Sequence, residues 1–223
     1  MQTKILELIA FTISTAGFSY GAVRLFKKGV PKYFQLFICA AGCYTLEELW
    51  VIVNSLLGNG NQDGLLTVRL FGLFGCFFFM LSANVNEFDK VVDDGKNKRA
   101  KRLALIAPAV LIALYSLYVM YQINRESIFV IVAGFISLAP ALFAAYYNLK
   151  HLLLPADAMN FLQATRGVNI MALIFYAANY IYPFLNLLCS KPAMSVYDVM
   201  LGLLMSGIVI MCERGARQWK TLI

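Results

Sequence analysis

The sequence predicts an all-α polytopic membrane protein, a bundle of seven transmembrane helices with the N-terminus outside and the C-terminus in the cytoplasm. Three observations predict it: an apolar composition, seven apolar stretches of membrane-spanning length, and basic residues gathered on one side. Hydrophobic residues make up 61% of the 223 residues and charged residues only 14%, and the mean hydropathy is +0.70. This apolar fraction exceeds what a soluble core needs, so a membrane protein is the expected class.

Each apolar stretch is long enough for a helix to cross the hydrocarbon core, since about 20 residues span about 30 Å. The first stretch begins at the fifth residue without a basic leader or a following cleavage site, so we expect a retained span and not a signal peptide. The short connections leave no room for a soluble domain, and residues 1–223 are expected to form one seven-helix domain. The predicted spans are residues 5–26, 33–57, 64–85, 103–122, 127–149, 166–188 and 194–212.

The basic residues set the predicted orientation. With the N-terminus outside, fifteen of the nineteen Lys and Arg residues lie on the cytoplasmic side, and the outer segments hold Lys4, Arg125 and Lys191. Such an excess is typical of cytoplasmic loops. The net charge of +7 is then explained by the bilayer, because basic residues beside a membrane attract anionic headgroups. We therefore expect the lipid bilayer as the surroundings and no nucleic-acid partner.

Histidine and cysteine are too few for most metal or disulfide chemistry. His151 is the only histidine, which excludes zinc hydrolases built on several intramembrane histidines. Most of the five cysteines fall within or near predicted spans, so a disulfide framework is not expected. The last span, from Met194 to Cys212, contains no lysine and so excludes a retinal protein. We expect no metal, no cofactor and no catalytic residue, and hence no enzyme.

Three charged residues stand at depths where a charge is costly. A carboxylate near the bilayer centre costs about 2.5 to 3.5 kcal/mol, so it usually faces the bundle interior and finds a partner. Glu47 and Glu48 lie close to mid-membrane in the second span, and Arg69 lies about 7 to 8 Å below the outer surface in the third. Because a short loop joins these spans, we expect Arg69 to pair with one glutamate. Three outcomes stay open for the other glutamate: protonation through desolvation, hydrogen bonding, or contact with a ligand cation or a transported proton. A buried structural ion pair is the alternative to a functional site.

A polar stripe on the sixth span points to a pocket in the outer half of the bundle. Asn and Tyr residues recur there at intervals of three and four, which places them on one helix face. Asn179 reaches about the depth of Glu48, and Asp198 of the seventh span lies within about two turns of the outer surface. The same pattern is typical of hydrogen bonding between helices, so packing and pocket both stay open. The predicted ligand-binding residues are Glu47, Glu48, Trp50, Arg69, Tyr176, Asn179, Tyr180 and Asp198.

Two stretches in these spans carry a family resemblance: Cys43–Trp50, with the sequence CYTLEELW, and Val68–Gly75, with the sequence VRLFGLFG. Together they resemble helices two and three of the seven-helix sensor region found in front of some bacterial histidine kinases. The resemblance implies a bundle that detects a signal and drives an attached kinase or cyclase. About ten residues follow the last span, so we expect no output domain here and a separate cytoplasmic protein partner. The short loops and the resemblance imply a prokaryotic plasma (inner) membrane.

Three functions stay open at this point. A receptor-like or sensor-like protein, which binds a small molecule or lipid in the outer pocket and signals through a cytoplasmic partner, is favoured. A small proton-coupled transporter is the alternative, although seven helices do not divide into two equal inverted halves. An intramembrane hydrolase with Glu47 or Glu48 as general base ranks last, because no nucleophile or metal set stands beside them. Small residues such as Gly72 and Gly202 permit a homo-oligomer without specifying one.

Overall fold

The described part of the chain is entirely helical apart from short connections. The structure, a computed structural model, describes residues 2–26, 30–57, 62–88, 128–153 and 160–220, together with ten residues between 106 and 122. These residues form six long α-helices, which confirms the predicted all-α class. The helices are α1 (Gln2–Leu25), α2 (Lys32–Leu57), α3 (Gln62–Phe88), α4 (Ile128–Leu153), α5 (Asn160–Leu188) and α6 (Lys191–Lys220).

The six helices fall on six of the predicted spans. The largest difference is at the end of α6, which continues to Lys220, whereas the predicted span ends at 212. An ion pair between Glu213 and Arg217, four residues apart, supports these additional turns. The predicted span 103–122 lies largely outside the described residues, and the ten described positions within it are helical. The count of seven helices and their orientation stay predictions.

Five of the described helices are long and apolar enough to cross a membrane. Large apolar side chains also face away from the bundle: Leu46 is 66% exposed, Phe71 59% and Leu203 55%. Apolar surface of this extent is unfavourable in water and suits a lipid environment. Both features indicate a membrane protein. The segments of spanning length and composition are Thr3–Leu25, Lys32–Leu57, Val68–Val85, Thr165–Asn186 and Lys191–Gln218.

The described helices pack as a closed ring. Each helix contacts the next along the chain, and α6 returns to pack against α1 and α2. Gly202 allows α6 to approach α1 closely, because a β-carbon at this position would lie 3.1 Å from the carbonyl oxygen of Ala10. One turn further on, the hydroxyl of Ser206 donates a hydrogen bond to the carbonyl oxygen of Ile13 at 2.9 Å. Helix α6 is therefore fixed against the first helix of the chain.

A very short connection joins α5 to α6. Only Cys189 and Ser190 separate the two helices. Pro192 stands in the first turn of α6, where the missing N–H removes no helical hydrogen bond. Since so short a connection makes the helices antiparallel neighbours, Tyr182 near the end of α5 and Asp198 near the start of α6 lie at the same level of the bundle.

Candidate functional site

Arg69 lies at the centre of a buried group of polar side chains contributed by four helices. Its Nε donates to Oε1 of Glu47 at 2.8 Å, and its Nη2 donates to Oδ1 of Asp198 at 2.6 Å. Its Nη1 donates to the hydroxyl oxygen of Tyr182 at 2.5 Å, and the guanidinium carbon lies 4.2 Å from the centre of the Tyr182 ring. We call Glu47, Arg69, Tyr182 and Asp198 the Arg69 cluster.

The helix connections bring these four residues to one end of the bundle. Glu47 precedes the end of α2 by ten residues and Arg69 follows the start of α3 by seven, so the two face each other across antiparallel helices. Tyr182 and Asp198 meet in the same way across the connection between α5 and α6. The long Arg69 side chain spans the remaining distance, which is the ion pair that the sequence predicts.

Close packing of α2 and α3 favours Glu47 over Glu48 as the partner of Arg69. Gly72 lies one turn after Arg69, and a β-carbon at this position would lie 2.6 Å from the β-carbon of Glu47. The backbone of α3 is thus in direct contact with the side chain of Glu47. Glu48, as the next residue on the helix, points about 100° away from this contact.

Burial is uneven across the Arg69 cluster. The side chain of Glu47 is 1% exposed, whereas those of Asp198 and Arg69 are 11% and 15% exposed. Charges withdrawn from water need close partners, because desolvation costs several kcal/mol for each ion. The edge formed by Arg69 and Asp198 is therefore the accessible side of the cluster, and Glu47 is its closed side.

Glu48 is a third carboxylate beside the same guanidinium. It is 2% exposed and interacts electrostatically with Arg69 and Asp198. Its Oε1 atom and Oε2 of Glu47 are buried without a hydrogen-bond partner among the described residues. Three acidic side chains thus surround one basic side chain. This arrangement favours uptake of a cation or a proton, either of which would balance the excess of acidic groups.

An aromatic layer lies further along the interior. The ring of Tyr44 packs edge-on against Phe175, and Phe77 packs in the same way against Tyr176, each with centroids 5.6 Å apart. The hydroxyl of Tyr176 accepts a hydrogen bond from Nδ2 of Asn148 on α4 at 3.3 Å. Tyr176 therefore connects α5 to α4 instead of contributing its hydroxyl to the Arg69 cluster.

The structure brings four of the eight predicted ligand-binding residues together. Arg69, Glu47 and Asp198 are in direct contact, and Glu48 lies beside them. The other four have different surroundings. Trp50 is 42% exposed, Tyr176 bonds to Asn148, Asn179 donates to the carbonyl oxygen of Phe175 in its own helix, and Tyr180 is buried. Ligand binding by all eight stays a prediction.

Tyr182 contacts Arg69 in two ways and is absent from the predicted set. Tyrosine near the end of a membrane helix is most often part of the aromatic belt, so the residue type alone does not indicate a site residue. The position of Tyr182 gives a weak indication, because it follows Asn179 by three residues and lies next to it on the helix surface.

A second ionic cluster lies near the opposite end of α6. Glu213 accepts a hydrogen bond from Nη2 of Arg217 at 2.7 Å and another from the hydroxyl of Tyr20, and Nε of Arg24 lies 3.1 Å from its Oε1. We call Tyr20, Arg24, Glu213 and Arg217 the Glu213 cluster. Glu213 follows Asp198 by fifteen residues, about 22 Å along the helix axis. One helix therefore carries a carboxylate in each cluster.

The carboxylates around Arg69 are not arranged as a metal site. Within the described helices, no group of three or more His, Cys, Asp or Glu side chains is placed to hold a metal ion. Arg69 occupies the position between Glu47 and Asp198 that a bridging metal ion would need.

Together, the fold and the two clusters define a helical membrane protein with a buried ionic group at one end and a basic group at the other. The chain matches no protein family, no curated protein and no solved structure. Its function is therefore inferred from its own side chains.

Proposed function

We propose that this chain is a receptor-like or sensor-like membrane protein with seven helices, an outer N-terminus and a cytoplasmic C-terminus. It binds a small molecule or lipid carrying a cationic group in a polar pocket at the Arg69 cluster. Binding changes the position of α6 and thereby the contact with a cytoplasmic protein partner. The observation that carries the proposal is the placement of Asp198 and Glu213, one in each cluster, on a single helix.

The charge balance supports a cationic ligand group. Glu47, Glu48 and Asp198 surround a single guanidinium, and the Oε1 atom of Glu48 is buried without a described partner. A ligand ammonium group that reaches Glu48 would supply the missing positive charge. Asp198 and Arg69, with 11% and 15% of their side chains exposed, form the side from which a ligand approaches.

The packing of α6 supports transmission along the bundle. Between the two clusters, Gly202 and Ser206 hold α6 in close contact with α1. A ligand that competes for Asp198 weakens the ionic attachment of this helix to Arg69. Because interfaces of this kind have discrete packing arrangements, a small change at Asp198 is expected to move α6 relative to α1 as a unit.

The test is a thermal-stability screen of the purified chain in nanodiscs against a panel of small organic ammonium compounds. We expect at least one compound to stabilise the wild-type chain and to lose this effect in Glu48→Gln, which keeps the shape of the side chain but removes its charge. Arg214→Gln, an exposed change outside both clusters, is the matched control. Stabilisation that persists in Glu48→Gln and in Asp198→Asn would contradict a binding site at the Arg69 cluster.

A small proton-coupled transporter is the second candidate, and the buried polar groups on both sides of the aromatic layer favour it. Besides the unpartnered oxygens of Glu47 and Glu48, the whole amide groups of Asn84 and Asn169 are buried without a described hydrogen-bond partner. Unpartnered buried polar groups cost about 1 to 3 kcal/mol each, so their presence favours a functional role. The test is substrate uptake into liposomes that contain the purified chain. Uptake that depends on an imposed pH gradient and is lost in Glu48→Gln would favour a transporter over a receptor.

A further inference from the structure

A cleft of about 220 Å³ opens between α1, α2 and α6 at the end of the bundle that holds the Glu213 cluster. Its lining combines two guanidinium groups and one carboxylate with an apolar wall, which is an amphipathic combination. The lining residues are Arg24, Val30, Pro31, Phe34, Glu213, Ala216 and Arg217.

The cleft carries an excess of positive charge. Arg24 and Arg217 share Glu213 as their carboxylate partner among the described residues. Each guanidinium has five N–H donors, and Arg217 uses its Nε and Nη2 for Glu213. The side chains of Arg24 and Arg217 are 28% and 61% exposed, so donors on both remain accessible to an anion.

The ends of the candidate spans place the cleft at the expected depth of lipid headgroups. Arg24 and Arg217 are each one residue from the end of a segment of membrane-spanning composition, Thr3–Leu25 and Lys191–Gln218. At these ends the hydrocarbon core meets the phosphate layer. A guanidinium binds phosphate oxygens in a bidentate manner, and the apolar wall of Phe34 and Ala216 suits the glycerol and the first acyl carbons of a lipid.

We propose that this cleft binds the phosphate headgroup of an anionic phospholipid, held by Arg24 and Arg217 above an apolar wall that contacts the glycerol and upper acyl chain. Basic pockets between membrane helices are typical sites for such lipids. A soluble phosphate ion would satisfy the guanidinium groups but would leave the apolar wall uncovered. Binding at this cleft does not require a ligand at the Arg69 cluster.

The proposal is tested by native mass spectrometry of the full chain in micelles titrated with phosphatidylglycerol or with phosphatidylcholine. We expect preferential binding of phosphatidylglycerol by the wild-type chain. Because each basic residue near a lipid surface contributes about 1 kcal/mol, the Arg24→Gln/Arg217→Gln double variant should bind it about thirtyfold more weakly. Arg214→Gln is the matched control, since Arg214 is exposed on the same helix and does not line the cleft.

A second variant keeps every charge and fills the cleft. Ala216→Trp places a large ring against the apolar wall, and it should remove the preference for phosphatidylglycerol while both arginines stay in place. It also keeps the proposal testable if the double variant does not fold. Inorganic phosphate and soluble glycerophosphate, added in the same titration, are expected not to displace the lipid.

Three results would overturn the site. Equal binding of the two lipids by the wild-type chain would show that the cleft does not select an anionic headgroup. A loss of about fivefold in Arg214→Gln, which is the share of one basic residue near the surface, would assign the effect to diffuse surface charge. Displacement by inorganic phosphate at concentrations comparable to those of the lipid would identify a soluble phosphate site instead.

Discussion

Asp198 accepts a hydrogen bond from Arg69 at 2.6 Å, although 129 residues separate the two in the sequence. Through Nε of the same guanidinium, Arg69 donates a second hydrogen bond to Glu47 at 2.8 Å. The two bonds join α6 to α2 through a side chain of α3. Because Arg69 also donates to Tyr182 of α5, it connects four helices, while Glu48 lies beside it and has no hydrogen bond to the guanidinium.

The adjacent glutamates offer a matched pair of substitutions. Glu47→Gln removes a charged partner of Arg69, and we expect it to lower the free energy of unfolding by about 1.5 to 3 kcal/mol, since Asp198 still balances part of the charge. Glu48→Gln breaks no bond to the guanidinium, and the expected change is below about 1 kcal/mol. The free energies of unfolding of both variants are measured in mixed micelles titrated with dodecyl sulfate. Equal losses in the two variants would mean that Glu48 is a structural partner of Arg69 as well.

Tyr182 contacts Arg69 through its hydroxyl and through its ring, and two substitutions separate these contacts. Tyr182→Phe removes the hydrogen bond at 2.5 Å and should cost about 1 to 2 kcal/mol of stability. Tyr182→Leu also removes the ring that lies 4.2 Å from the guanidinium, which should cost a further 0.5 to 1 kcal/mol, roughly the value of a partly exposed cation–π contact. The same unfolding titration measures the stability of both variants. If Tyr182→Phe is as stable as the wild type, Arg69 has found another hydrogen-bond acceptor in place of the tyrosine hydroxyl.

The pairing of Arg69 with a glutamate is predictable from the sequence because charges are rare inside apolar helices. A short connection makes α2 and α3 neighbours, and a buried arginine must find an acid within reach. The choice between Glu47 and Glu48 is not predictable in this way. It depends on the close contact of Gly72 with Glu47, which is a property of packing and not of spacing.

The ion pair between Asp198 and Arg69 is also not predictable from the sequence. It requires α6 to close the ring of described helices against α1 and α2, and nothing in the order of the spans specifies which helices meet across the bundle.

The orientation of Trp50 shows where helical periodicity is too coarse to predict a site residue. Trp50 follows Glu47 by three residues, so the two side chains point in directions that differ by about 60° around the helix axis. Glu47 faces the bundle interior, whereas the side chain of Trp50 is 42% exposed.

Gly72 tests the close approach of α3 to Glu47. Gly72→Ala adds a β-carbon 2.6 Å from the β-carbon of Glu47, which forces the helices apart and should cost about 1 to 3 kcal/mol. Gly167→Ala is the control, because its added β-carbon would lie at an ordinary 3.5 Å from the sulfur of Met211. Alanine favours a helix over glycine, so this variant should be as stable as the wild type or more stable by up to about 1 kcal/mol. A Gly72→Ala variant as stable as Gly167→Ala would contradict the packing of α2 against α3.

Coupling along α6 is tested by changing one cluster and observing the other. Asp198→Asn weakens the attachment of α6 to Arg69. We expect amide hydrogen exchange around Glu213 to become at least about fivefold faster, because typical coupling between two sites begins at about this factor. The control is Ser195→Ala, one turn earlier on the same helix, whose hydroxyl donates to the carbonyl oxygen of Lys191 within that helix. Exchange measured by mass spectrometry in nanodiscs resolves the two ends of α6.

Because coupling between two sites is reciprocal, Glu213→Gln should in turn increase exchange around Asp198 by a similar factor. This reverse effect separates transmission along the helix from local loosening, which stays within the turns next to the substituted residue. Changes confined to the first three turns of α6 in Asp198→Asn, and to its last three turns in Glu213→Gln, would remove α6 as the link between the clusters. The Arg69 cluster would then act within its own end of the bundle, as a transporter site or a structural ion pair does.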